Sequence, residues 1–112
     1  MPIRPLSAED LVSVVDVLAE LLPEFDGAAI VRPWALSAAA AAEEGSIAGV
    51  DVHAGLEDRL RAMAETLRRL KPLDRGNDAF AVTAVMVRGR LAGTHMSFDR
   101  AAAIAGVRHP AH

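Results

Sequence analysis

Four stretches of this chain place apolar residues on one face of an α-helix, and a fifth, at residues 33–44, is an alanine-rich block that favours helix. Residues that start or stop helices bound each stretch. Ser7, with Asp10 three residues later, has the pattern of a capping box, and Pro23 cannot continue a helix. We therefore predict an all-α fold, a compact domain of five helices. The predicted helices run from Ser7 to Pro23, from Pro33 to Glu43 or Glu44, from Leu56 to Lys71, from Asn77 to Leu91 or Ala92, and from Ser97 to Gly106.

Residues 45–55 break the helical pattern. They contain three glycines and alternating β-branched residues, which predicts an extended loop or a short hairpin-like flap between helices 2 and 3. Val50 and Val52 offer an edge to which a partner strand could add, and His53 lies beside them. Trp34, at the start of helix 2, is interpreted as a packing anchor that could also contact a partner peptide. These four residues are the predicted partner-binding set.

The composition fits one domain over residues 1–112, with a core at 6–95 and a tail at 107–112. Alanine accounts for 23 of the 112 residues and aromatics for 4%, which favours helices with a thin core. The lack of cysteine excludes a disulfide framework, a cysteine–zinc site and a thiol enzyme. The apolar runs are too short for a membrane span, and no secretory signal is visible. We therefore expect a cytoplasmic protein that does not bind a membrane.

The charges are unevenly distributed along the chain. Residues 1–30 hold one basic residue against six acidic ones, whereas residues 86–112 hold four basic residues against one acidic residue. Two solvated helix faces would explain this, and so would an oriented partner or an anionic ligand. The positive excess is small and aromatics are few, so direct nucleic-acid binding is not predicted. No histidine has the spacing of a helical metal pair, so no metal ligands are predicted.

A loop of sequence Lys-Pro-Leu-Asp-Arg-Gly-Asn at residues 71–77 follows helix 3, and its last residue, Asn77, is the predicted N-cap of the fourth helix. This helix is predicted to be buried and central, and Leu91 shares one apolar side of it with Phe80. That helix ends in Leu-Ala-Gly at 91–93, and the alanine-rich second helix is entered through Val-Arg-Pro at 31–33. Together with the capped first helix, this layout resembles the Fic/Doc (death-on-curing) family over residues 6–95. It is more similar to the Doc toxins than to the larger Fic enzymes.

The resemblance implies a chemistry. Fic enzymes transfer a nucleotide monophosphate to a protein hydroxyl, and Doc toxins phosphorylate a translation elongation factor. Both use a loop of the form His-Pro-Phe-x-(Asp/Glu)-Gly-Asn followed by basic residues. There histidine is the general base, glycine and the following helix N-terminus bind phosphate, the acid helps to hold a metal, and arginines stabilise developing charge. The resemblance thus implies ATP with Mg as possible cofactors, and a target protein or an antitoxin as partner.

Part of this motif is present in the chain. Pro72, Gly76 and Asn77 match the family pattern, and Leu73 is an apolar replacement for its phenylalanine. Under the resemblance, Gly76, Asn77 and Asp78 are the predicted nucleotide- or phosphate-binding residues. The acidic Asp78 stands where relatives often have lysine or glycine, and it would repel phosphate.

The residues that would do the chemistry differ from the family pattern. Lys71 stands in place of the histidine and Arg75 in place of the acid, while Ala79 and Val82 occupy the arginine positions. The predicted catalytic residues are accordingly Lys71, Asp74 and Arg75, in an altered chemistry.

Three functions are consistent with the sequence. The leading hypothesis is a divergent Doc-like toxin–antitoxin component, a pseudoenzyme that acts through protein binding with its transferase chemistry lost or altered. The first alternative is an active protein phosphotransferase or nucleotidyltransferase that uses Lys71 in place of histidine. The second alternative is a Fic/Doc fold reused as a biosynthetic or peptide-modifying enzyme. The oligomeric state is not predicted.

Overall fold

A computed structural model describes residues 6–44, 46–47, 50–51 and 55–108 of the chain. Five α-helices lie within these residues, which confirms the predicted all-α class. A 3-10 turn at Pro23–Phe25 follows the first helix. A hairpin of two strands, each of two residues, separates the second helix from the third. The elements are α1 (Ala8–Leu21), α2 (Pro33–Glu44), β1 (Ser46–Ile47), β2 (Val50–Asp51), α3 (Leu56–Leu70), α4 (Asn77–Leu91) and α5 (Phe98–Ala105).

The first helix begins as its sequence predicts. The Ser7 hydroxyl accepts a hydrogen bond from the Asp10 N–H at 3.1 Å, and the Asp10 carboxylate accepts one from the Ser7 N–H at 2.9 Å. This reciprocal pair is the capping box, which satisfies two backbone donors that α1 would otherwise leave unpaired. Pro23 ends the helical run by opening the 3-10 turn.

The segment between α2 and α3 forms the predicted hairpin in its described part. β1 pairs antiparallel with β2, with Ile47 opposite Val50. Val52 and His53, two of the predicted flap residues, lie outside the described residues. Helix α2 packs along α3. The alanines that α2 buries, Ala35 and Ala39, let the two helices approach closely.

The fourth helix is the centre of the domain, as predicted. It packs against α1, α3 and α5 and buries residues around most of its circumference, including Phe80 and Val85. The predicted inward position of Leu91 is wrong, because its side chain is 56% exposed. Leu91 is the last residue of α4, where the helix has passed the end of the core.

The domain is compact, with a radius of gyration of 13.1 Å. This value is close to the roughly 13 Å expected for a folded chain of about 100 residues. In the described part of the chain, no helix is long and apolar enough to cross a membrane.

Candidate functional site

The 71–77 loop is held by the segment that connects α1 to α2. Ile30 and Leu73 form an antiparallel bridge. Beside it, the Val31 and Arg32 N–H groups donate to the Pro72 carbonyl at 2.8 and 3.0 Å. The loop therefore has a fixed position against a neighbouring strand-like segment.

Lys71, a predicted catalytic residue, ends α3. Its backbone is left-handed, with φ of 52°, and its N–H donates to the Leu67 carbonyl at 3.0 Å. The Lys71 carbonyl accepts a hydrogen bond from the Arg32 guanidinium at 2.8 Å, while the Lys71 side chain is exposed. Helix α3 stops before Pro72 as predicted, since a residue that precedes proline disfavours the helical conformation.

Asp74, a predicted catalytic residue, pairs with Ala29. The Asp74 N–H donates to the Ala29 carbonyl at 2.9 Å, and the Asp74 carboxylate accepts the Ala29 N–H at 3.0 Å. One residue thus satisfies both backbone groups of another, 45 positions away. This arrangement gives Asp74 a structural use that does not require a substrate.

Arg75, the third predicted catalytic residue, binds the turn that follows α1. Its guanidinium donates to the Glu24 carbonyl at 2.7 Å and to the Asp26 carbonyl at 3.0 Å. A planar guanidinium suits two neighbouring carbonyl acceptors because its donors form a rigid fork. Arg75 therefore connects the motif loop to the 3-10 turn.

Replacing Arg75 by alanine is expected to lower the free energy of unfolding by about 1–3 kcal/mol, because two charge-assisted hydrogen bonds are lost. Urea unfolding followed by circular dichroism measures this change. Arg90→Ala, on an exposed side chain at the end of α4, is the matched control and should change stability by less than about 0.5 kcal/mol. Equal effects of the two substitutions would contradict a stabilising role for the hydrogen bonds of Arg75.

Gly76 and Asn77 shape the start of α4 differently from the prediction. Gly76, with φ of +76°, is the residue that precedes the helix, so the predicted N-cap at Asn77 is wrong. Asn77 is the first helical residue, and its amide both accepts from the Leu73 N–H and donates to the Leu73 carbonyl, each at 2.9 Å. The amide faces back into the loop because these local bonds close the turn.

Asp78 pairs α4 with Arg68 of α3, a residue for which no role was predicted from the sequence. The Asp78 carboxylate lies 3.1 Å from Nε of Arg68. The same guanidinium donates to the Ala105 and Gly106 carbonyls, at 3.1 and 2.9 Å, where α5 ends. Basic residues favour helix C-termini, but the α5 terminus is 37 residues from Arg68, so local sequence does not indicate this contact.

An open cleft of about 840 Å³ lies over the loop. Its lining includes one ammonium group, on Lys71, and three carboxylates. The apolar lining residues are Leu22, Phe25, Ala79 and Phe98, and the carboxylates are those of Glu24, Asp74 and Asp78. With three carboxylates and one ammonium group the lining is acidic, which opposes the approach of a free phosphate group.

The Phe25 ring occupies the space above the motif glycine. A Cβ atom built on Gly76 would lie 2.7 Å from Cδ1 of Phe25. Phosphate-binding loops need their glycine backbone open to the ligand, so that the N–H groups can reach the oxygens. The Phe25 ring therefore covers the side of Gly76 on which a side chain would project.

Trp34 does not pack in the core. Its side chain is 59% exposed, so its interpretation as a packing anchor is wrong. Trp34 lies in the first turn of α2, directly after the segment that pairs with the motif loop. Val50 lies in β2, where its backbone pairs with Ile47.

A buried ion pair joins α2 to α4. Glu43 Oε1 lies 2.8 Å from Nε of Arg88, and both side chains are almost fully inaccessible to solvent. Among the described residues, Glu43 Oε2 and Arg88 Nη1 have no hydrogen-bond partner. This pair was not predicted from the sequence, although Arg88 follows the buried Phe80 and Ala84 at spacings of four along one face of α4.

No family model, curated protein or solved structure gives a significant match to this chain. Within the part of the chain that the structure describes, no group of three or more His, Asp or Glu side chains could hold a metal ion.

Proposed function

We propose that this protein is a divergent Doc-like toxin–antitoxin component that acts by binding a protein and no longer transfers phosphate. The observation that carries the proposal is the use of the motif loop in holding the domain together. Asp74, Arg75 and Asn77 bond to backbone groups of the domain, and Asp78 pairs with Arg68. Family chemistry would need such groups to be directed at nucleotide and metal.

The groups that remain exposed at the loop do not replace the lost chemistry. A general base acts from a fixed position within reach of the proton that it removes, whereas the Lys71 side chain is exposed to solvent. The N-terminus of α4 attracts anions through its backbone dipole. The carboxylate of Asp78 lies in its first turn, so it opposes the binding of a further anion there.

A surface suited to protein binding lies next to the loop. Trp34 and Val31 are 59% and 50% exposed, and they flank the entrance to α2. Tryptophan is the residue type most enriched among those that dominate binding energy in protein interfaces. In a chain with one tryptophan, its exposure rather than its burial supports a binding role.

The test is label transfer to proteins of a host lysate. The protein is incubated with Mg and ATP labelled at either the α- or the γ-phosphate, and we expect no labelled protein above a control without the domain. Transfer that Lys71→Ala abolishes would contradict the proposal and establish the alternative in which Lys71 replaces the family histidine. Arg69→Ala, at another exposed basic residue near the end of α3, is the matched control.

A further inference from the structure

A groove of about 460 Å³ lies between the start of α1 and the second half of α2. We call it the α1–α2 groove, and its lining residues include Ala8, Ser37, Ala40, Ala41 and Glu44. Val12 follows Ala8 by one helical turn and is 45% exposed, so it extends the apolar wall on α1. The small side chains leave room between the two helices for the side chains of a partner.

The outward side of α2 has the composition of a packed helix rather than of a solvated one. No charged residue occurs at positions 33–42. The helix buries Leu36 and Ala39 against the domain, whereas Ala41 is exposed and Trp34 is 59% exposed. The side of a helix that faces water normally carries charged or polar residues, so the outward side of α2 is suited to contact a further element.

The side-chain charges of these two helices have one sign. Helix α1 has four carboxylates and α2 has two, and neither helix contains Lys, Arg or His. Asp10 is used in the capping box, and Glu43 pairs with Arg88. The four carboxylates that remain are exposed and form no ion pair within the described part of the chain; they belong to Glu9, Asp16, Glu20 and Glu44.

No basic side chain is among the described residues that line the groove. Arg32 precedes α2 at the end opposite to Glu44, and Arg90 at the end of α4 forms no ion pair with α1 or α2. Arg4, the one basic residue among residues 1–30, lies outside the described residues. The described lining of the groove is therefore acidic where it is charged.

Helix geometry places the carboxylates beside the apolar residues of the groove. Glu9 and Val12 are three positions apart and Val12 and Asp16 are four apart, so they are neighbours on the surface of α1. On the other wall, Glu44 follows Ala41 at a spacing of three and itself lines the groove. A ligand in the groove thus meets apolar side chains and, next to them, carboxylates on both helices.

We propose that the α1–α2 groove binds a basic amphipathic helix of a protein partner. The apolar side chains of that helix pack against Val12 and Ala41. Its Lys or Arg side chains face Glu9, Asp16 and Glu44, because charge complementarity selects the sign of the partner. The inference rests on the proposed function in that the ligand is a protein.

A helix is the ligand shape that this groove favours. Helix α2 already packs against α3 and buries Ala35 and Ala39, so small residues on α2 allow a neighbouring helix to approach closely. A third helix in the groove would contact α1 and α2 together. Nucleic acid and an anionic lipid surface are disfavoured as ligands, because the exposed carboxylates repel phosphate.

The first experiment titrates fluorescein-labelled peptides with the domain and records anisotropy. The basic peptide is two repeats of Leu-Lys-Lys-Ala-Leu-Lys-Lys, which gives it the 14-residue length of α1. One control peptide has Glu in place of each Lys, and another has the same composition in an order that disperses the apolar residues around the helix. We expect the basic peptide to bind about fivefold more tightly than either control, with the difference from the Glu peptide reduced at about 0.5 M salt.

Paired charge variants test whether the carboxylates of α1 hold the basic peptide. Glu9→Gln combined with Asp16→Asn should weaken its binding about fivefold. Glu65→Gln combined with Asp26→Asn removes two exposed carboxylates elsewhere and should leave the binding unchanged. The two double variants have the same net charge, so a difference between them reports position and not total charge.

A lysine variant tests whether the peptide lies in the groove. Ala41→Lys places a long basic side chain at the groove lining, and we expect it to weaken binding of the basic peptide at least about tenfold. Because Ala41 is exposed and lysine is a good helix former, this variant should stay folded, which circular dichroism checks. Ala103→Lys, at an exposed position of α5, is the matched control.

The outcomes separate this inference from the proposed function. Absence of binding, binding of either control peptide as tight as that of the basic one, or equal effects of Ala41→Lys and Ala103→Lys would overturn the inference. Sedimentation velocity tests a second copy of the chain as the occupant, and a dimer that Ala41→Lys dissociates would also overturn it. These results leave the label-transfer result untouched, whereas phosphate transfer to a lysate protein would overturn the proposed function, whatever the peptides do.

Discussion

Replacing Arg88 by methionine is expected to lower the free energy of unfolding by about 3–5 kcal/mol, because Glu43 is then left buried without its partner. Both side chains lie in the interior between α2 and α4, so neither can recover hydration while the domain remains folded. Urea unfolding followed by circular dichroism measures the change. A loss of this size removes a large part of the roughly 5–15 kcal/mol that stabilises an ordinary domain.

The matched double variant separates an unpaired charge from a loss of packing. Glu43→Leu combined with Arg88→Met replaces the ion pair by apolar groups, and we expect stability equal to the parent protein or greater by about 1–4 kcal/mol. Arg90→Met, at an exposed position of α4, should be nearly neutral. An Arg88→Met effect below about 1 kcal/mol, or a double variant no better than the single one, would contradict this account of the pair.

Replacing Gly76 by alanine is the second large effect, expected to lower the free energy of unfolding by about 2–4 kcal/mol. The left-handed backbone of Gly76 costs an alanine about 1–2 kcal/mol, and the added Cβ at 2.7 Å from the Phe25 ring adds overpacking strain. Gly93 supplies the control, since its φ of +84° is similar and no atom lies within 4 Å of an added Cβ. Gly93→Ala should therefore show the backbone cost alone.

A double-variant cycle tests whether the Phe25 ring causes the part of the Gly76→Ala cost that exceeds the Gly93→Ala cost. In a Phe25→Ala background, Gly76→Ala should cost about as much as Gly93→Ala, because the ring that meets the new Cβ is gone. If Gly76→Ala and Gly93→Ala are equally costly in the parent protein, the aromatic ring does not cover the motif glycine. The cleft would then be more open at Gly76 than it is in the structure.

Local sequence patterns predicted the elements that local forces determine. The capping box at Ser7 and the stop at Lys71 depend on residues within one helical turn, and both are confirmed. The prediction for Asn77 was wrong because the same side chain can cap a helix or close the preceding loop. Tertiary pairing of Leu73 with Ile30 fixes the loop in the second arrangement.

The roles of the site residues could not be predicted because they depend on contacts distant in sequence. Arg75 reaches the Glu24 carbonyl across 51 positions, and Glu43 meets Arg88 across 45. A motif match identifies the loop but does not show whether its side chains point to a ligand or to the domain. Trp34 shows the same limit, since an apolar residue near a helix start is equally consistent with a core and with an interface.

Calorimetric titration of the domain with ATP in the presence of Mg is the most direct test of the claim that this loop is structural. Amide chemical shifts of Gly76, Asn77 and Asp78, recorded in parallel, locate any binding. We predict no saturable heat and no shifts at these three residues at millimolar nucleotide. Saturable, Mg-dependent binding that shifts these residues would contradict the account.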